Sequence, residues 1–165
     1  MRVLGVDYGA EGAISLIDTI TEEHLVWDMP FEDTEVDVIA LNKILQNIMP
    51  PVDSIWVEHV IANGPNAGKK GLLKQGKTIG KAEAVLILFS FQCKIPFMDV
   101  SAQRWKRYQG LWGEVKKGSC IMASEKYPML KTEFYGARGG AKDGRAESIL
   151  IADYGVNHHD ETKTT

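Results

Sequence analysis

The spacing of hydrophobic positions along this 165-residue chain changes several times, and each change marks an element. Residues 2 to 7 and 13 to 17 are short, apolar, β-favouring runs separated by Gly9 and Gly12, and "HLVWDM" at 24 to 29 forms a third. Together they predict an antiparallel meander. In "VDVIALNKILQNI", Val38, Leu41, Leu45 and Ile48 recur at three- and four-residue spacing, which predicts an amphipathic helix ended by Pro50 and Pro51. A fourth strand follows in "SIWVEHV", with Trp56, Glu58 and Val60 on one face and Ile55 and Val57 on the other. "IANGPNAGKKG" reads as a loop. From about Leu72 to Gln92 a long helix is predicted, its apolar content climbing towards "AVLILFSF", so that its C-terminal half should be buried on most sides. "IPFMDV" supplies a fifth strand, and helices around 102–110, 117–126 and 145–154 complete the chain. A meander followed by strands alternating with helices predicts one α/β domain with a mixed sheet, spanning residues 1–155, with 156–165 a frayed tail.

Composition narrows the class. With 44% apolar and 25% charged residues the chain suits a single sizeable core. It has no run of 18 or more apolar residues and no basic segment ahead of a signal-like run, which predicts a soluble, unexported, cytoplasmic protein without a membrane partner. The two cysteines, Cys93 and Cys120, lack CxxC spacing, which argues against a disulfide framework or a zinc site and for a reducing compartment. The formal net charge of −3 hides an asymmetry. Residues 1–60 carry 12 acids against two bases, whereas residues 61–165 carry 17 bases against 10 acids. A basic face is therefore compatible with the acidic total.

The acids raise the chemical question. Asp7 ends an apolar strand, where an unpaired carboxylate is costly to bury, so it needs a partner. Glu58 lies near the end of strand four, and Asp143 and Glu147 open the last helix four residues apart, a spacing that stacks them on one face. Clustered carboxylates repel and take up protons unless cations neutralise them, which makes these four a candidate site for hard divalent ions, Mg²⁺ above all. Two such ions about 3.5–4 Å apart serve phosphodiester hydrolysis. Each acid also has a local use: Asp7 in a turn, Asp143 at a helix N-terminus, Glu58 at a strand end, Glu147 on a wet surface.

"VLGVDYGAEGAI", "WVEHV" and "KDGRAESILIADYG", in this order and at these separations, resemble the RuvC family of Holliday-junction resolvases, particularly the forms carried by bacteriophages. "LKQGKTIGKAEAVLI" and "MDVSAQRWKRYQG" look like further segments of that family. The resemblance implies an RNase H-like fold, a mixed five-stranded sheet with helices on both faces. It also implies a Mg²⁺-dependent homodimer, with Mn²⁺ a possible substitute, that makes paired nicks across a four-way DNA junction. Asp7, Glu58, Asp143 and Glu147 would then hold two ions, and the family's catalytic lysines would fall on Lys106 and Lys117. Two departures stand out. Cellular members commonly carry two aspartates three apart where this chain has Asp143 and Glu147, and an aromatic wedge where this chain has Ile61. Phage forms also act on branched DNA more broadly, so fork and flap cleavage is an alternative.

Basic residues suggest how DNA would be held. Lys70, Lys74, Lys77 and Lys81, with Lys69 just ahead, make one cationic stripe if a helix covers them. "QRWKRYQGLWGEVKK" interleaves Arg104, Lys106, Arg107, Lys116 and Lys117 with Trp105, Tyr108 and Trp112, a mixture suited to backbone contact and base stacking. Trp105 is expected in the core. Arg138, in "GARGGAK", is placed to reach a phosphate, while Lys142 and Arg145 flank the acids and could balance their charge. Two other classes fit parts of the chain. "GVDYGAEGAI" is also like the first phosphate loop of actin-like ATPases, but those need a second glycine-rich loop. A non-catalytic junction-binding protein is the other, and the presence of all four acids speaks against it.

Overall fold

A computed structural model describes residues 1–9, 11–48, 51–59, 70–113 and 118–164. The meander is formed by β1 (Arg2–Asp7), β2 (Ala13–Asp18) and β3 (His24–Asp28), paired antiparallel in sequence order. Two further strands, β6 (Ser54–His59) and β7 (Phe97–Ser101), add on parallel to β1. The sheet order is β3-β2-β1-β6-β7. Between them a two-stranded hairpin, β4 (Phe31–Glu32) and β5 (Glu35–Val36), leads into α1 (Val38–Asn47). Asp37 caps α1, its carboxylate accepting from the Ile39 and Ala40 N–H groups.

The helices divide between the two faces of the sheet. On one face α1 and α2 (Lys70–Cys93) bury Leu41, Leu45, Ala82 and Leu86 against Leu4, Val6, Ile55 and Val57. On the other lie α3 (Ala102–Tyr108), α4 (Gly118–Lys126) and α5 (Asp143–Asn157), whose core holds Trp56, Trp105, Cys120, Phe134 and Ile149. The alternation expected in β6 therefore holds, with Ile55 and Val57 on the α1–α2 side and Trp56 on the α5 side. Among the described residues no helix is long and apolar enough to cross a membrane.

One close approach fixes the position of α5. A Cβ placed on Gly5, in the middle of β1, would lie 2.2 Å from the Ser148 carbonyl oxygen and 2.3 Å from the Ala152 nitrogen. One on Gly144 would lie 1.9 Å from the Glu11 carbonyl oxygen. The missing side chain of Gly5 thus seats α5 directly on the strand that ends in Asp7, that of Gly144 seats its first turn on the β1–β2 connection, and the Ser15 and Ser148 hydroxyls, 2.6 Å apart, hold the neighbouring strand to the same helix.

Three features differ from the sequence expectation. The C-terminal half of α2 is not buried on most sides: Ala84, Ile87, Leu88 and Phe91, at i, i+3, i+4 and i+7, face outward, and Phe91 is 80% exposed. Only one face of α2 meets the sheet, and among the described residues nothing covers the other at Ile87, Leu88 and Phe91. The β4–β5 hairpin was not anticipated, because two-residue strands are too short to show alternation. Finally, α5 reaches Asn157 and a 3₁₀ turn follows at His159–Thr164. There Glu161 accepts from Arg104, and His158 stacks on Tyr154 at 3.8 Å between ring centroids.

Candidate active site

The sheet's parallel centre places two carboxylates side by side. β1 and β6 run in the same direction with Val6 opposite Val57, so the next residues, Asp7 and Glu58, stand at the same edge. By alternation both belong to the face covered by α5. Glu147, one turn into that helix, joins them: its charge bears on both Asp7 and Glu58. Three acids from three elements thus sit close enough to repel one another.

Among the described residues, one ammonium lies beside them. Lys106 of α3 places its Nζ 2.9 Å from Glu147 Oε1, and its charge favours the ionised forms of Asp7 and Glu58. It does not suffice. Burial pushes the Asp7 carboxyl above its ordinary value despite the Gly9 N–H that donates to Oδ1 at 2.9 Å. Burial likewise raises Glu58, against the opposing influence of a hydrogen bond from Trp105. Among the described residues, the cluster holds three carboxylates against one ammonium.

Neighbouring side chains orient the acids. The indole N–H of Trp105, fully buried, donates to Glu58 Oε2 at 2.7 Å. From α4, the Ser119 hydroxyl donates to Glu147 Oε1 at 3.1 Å, and the Cys120 thiol lies 3.4 Å from Asp143 Oδ1 and 3.5 Å from the Phe134 carbonyl oxygen. Burial first, then the hydrogen bond and charge of Asp143, push the thiol up to about 12, so Cys120 serves as a neutral donor. The expected core position of Trp105 is correct, but its role as a donor to the site was missed. A buried indole N–H requires an acceptor, and the adjoining Lys106 was the available signal.

The other expected site residues are distributed as follows. Asp143 begins α5 as the first residue of its opening turn, and among the described residues its side chain meets Cys120 rather than Lys106. Arg145 does not balance the acid cluster: it bridges Asp28 and Glu133, tying β3 to the 3₁₀ segment ahead of α5. Lys77 and Lys81 both pair with Glu35 of the hairpin, Lys77 at 2.9 Å. Arg104 pairs with Glu161, while Arg107 and Arg138 are exposed. Lys70 and Lys74 lie on α2 in its first turns, and their side chains are outside what the structure describes. Lys69, Lys116, Lys117 and Ile61 lie outside the described residues.

A hard divalent ion suits this donor set. Asp7, Glu58 and Glu147 offer only oxygen ligands, and among the described residues one ammonium, that of Lys106, faces the three carboxylates. As the side chains stand, no three acidic, histidine or cysteine groups among the described residues converge closely enough to hold one ion.

The fold, a mixed five-stranded sheet with helices on both faces, is RNase H-like and similar to that of RuvC structures. Thermus thermophilus RuvC in complex with a Holliday junction substrate superposes with a TM-score of 0.63 at 11% identity, over 98% of this chain and 96% of that one. The yeast mitochondrial Holliday junction resolvase Ydc2 superposes with a TM-score of 0.60 at 17% identity, over 98% of this chain and 80% of its own. No family model and no curated protein matches the chain by sequence. At such identities the likeness is one of fold.

Proposed function

We propose that this protein is a metal-dependent, structure-specific endodeoxyribonuclease that resolves four-way DNA junctions by paired nicks. It is of the kind carried by bacteriophages and works in the cytoplasm of the host cell. The observation that carries this reading is the meeting of Asp7, Glu58 and Glu147 around Lys106 at the carboxyl edge of the sheet. Those three acids and Asp143 would hold Mg²⁺, with Mn²⁺ as substitute. When bound, such an ion supplies Lewis acidity towards a phosphodiester and a more acidic water.

The chain's own groups do the rest. Trp105 and Ser119 tether Glu58 and Glu147 by hydrogen bonds, which limits how far these acids must move to converge on an ion. Lys106, already positioned at Glu147, is the group available to meet the charge of a phosphoryl oxygen, with Lys117 in the same role. Lys69, Lys70, Lys74, Arg107, Lys116 and Arg138 would contact the DNA backbone. Lys77, Lys81 and Arg104 would do so on leaving their present acidic partners. Two-fold action on a junction requires two sites, and the uncovered stripe Ala84, Ile87, Leu88 and Phe91 on α2 supports pairing with a second copy of the chain.

The test is cleavage of a labelled four-way junction, a Y-fork and a linear duplex by wild type and Asp7→Asn, each with Mg²⁺, Mn²⁺ or EDTA. Symmetric nicks in the junction that require both the metal and Asp7 are expected. Equal cutting of the fork would broaden the activity to general debranching. Tight junction binding without cleavage of any substrate would leave a junction-binding protein.

A further inference from the structure

We propose that Arg107 and Trp112 form a stacking platform for a nucleobase left unstacked at the branch of the DNA, an inference that rests on the nuclease reading above. Trp56 and Trp105 are buried and Trp27 is partly so, but Trp112 leaves 52% of its surface open. An indole so exposed loses the burial that ordinarily favours it. Looseness of the chain does not account for it, because the turn that carries it is pinned.

Gln109, 4% exposed, directs its side-chain amide to the Leu150 carbonyl at 3.0 Å and to Asp153 Oδ2 at 2.8 Å. Leu111 is buried, and its N–H donates to the Lys106 carbonyl at 2.7 Å. Gly110 and Gly113, with φ of 73° and 88°, take the left-handed conformations that bracket the turn. Trp112 is thus presented by a built turn, and Lys106 ties that turn to the site: its carbonyl anchors Leu111 while its ammonium holds Glu147.

The chemistry of the occupant follows from the pair. The Arg107 guanidinium lies 5.4 Å from the Trp112 ring centroid. Whereas Arg104 and Arg145 are held by carboxylates, Arg107 forms no ion pair among the described residues. A flat aromatic ring with a cation over it that no carboxylate among the described residues holds suits a base and its phosphate together. Bases inside a duplex have both faces covered, so the platform selects bases that have left the stack, as at a branch point or in a single strand.

Binding in EDTA of a four-way junction, a single strand and a linear duplex to wild type, Trp112→Phe and Trp112→Ala tests this, together with photocrosslinking from 5-iododeoxyuridine placed beside the branch. Trp112→Ala should bind the junction and the single strand about tenfold more weakly, with duplex binding unchanged. Trp112→Phe should retain most of the affinity, and the crosslink should map to Trp112. Equal weakening towards all three ligands, no weakening at all, or a change of oligomeric state in Trp112→Ala would overturn the platform. A wild type that cuts junctions while Trp112→Ala binds them equally well rejects the platform alone. A wild type that binds junctions no better than duplex rejects both readings.

Discussion

Asp7 shows what a buried charge demands. Burial raises its carboxyl and that of Glu58, so without metal the folded chain binds protons there that the unfolded chain releases. Stability from these two groups is therefore greatest at low pH and falls as pH rises past their ordinary values of 3.8 and 4.5 and through the raised folded ones. Asp7→Asn keeps the oxygen that accepts from Gly9 and removes the charge. It should raise the Tm of the metal-free protein near neutral pH while abolishing cleavage, and calorimetry in EDTA at pH 4 and pH 7 checks it. Trp105→Phe keeps an aromatic ring in the core but deletes the donor to Glu58. Outer partners of metal-binding groups are commonly worth about 10–100-fold in affinity or rate. A loss of that order in Mn²⁺ affinity, read by electron paramagnetic resonance, is expected. Gly5→Ala should cost about 1–3 kcal/mol by forcing α5 off β1, measured by urea unfolding.

At the scale of elements, the acidic hairpin and the basic helix are coupled. Glu35 accepts hydrogen bonds from Lys81 and Lys77, which hold its carboxyl down at about 2. Its contribution to stability is complete above the unfolded value near 4.5 and is lost as pH falls from there through about 2. Glu35→Gln should flatten the acid limb of the Tm–pH curve in that window. The same substitution frees Lys77 and Lys81, so junction affinity at low salt should rise and its salt slope steepen, by about 0.9 log unit per added phosphate contact. Equal salt slopes for both proteins would show that these lysines stay away from DNA.

At the scale of the whole molecule, α2 marks the difference between one chain and an assembly. Its outer stripe resembles a core helix in composition but has no partner among the described residues. Phe91→Asp, which touches nothing on the sheet side, should convert a two-copy species to a single one in sedimentation equilibrium while leaving the Tm within a few degrees. An unchanged mass would place the second copy elsewhere or exclude it.

The residue pattern by itself determined the strand meander, the α/β alternation, the two faces of β6 and the short list of acids, because local periodicity and the cost of burying charge act over a few residues. It could not reveal that Gly5 lets α5 sit against β1 or that Gly144 lets it sit against Glu11, since a missing Cβ matters only once something approaches it. Nor could it tell that Trp105 donates to Glu58, that Arg145 serves Asp28 and Glu133, or that Glu35 holds two lysines. These pairings join residues from 12 to 117 positions apart. The apolar content of α2 was plain in the sequence, but only the tertiary structure decided which of its faces meets the sheet, because a helix apolar all round carries no signal of where its partner lies.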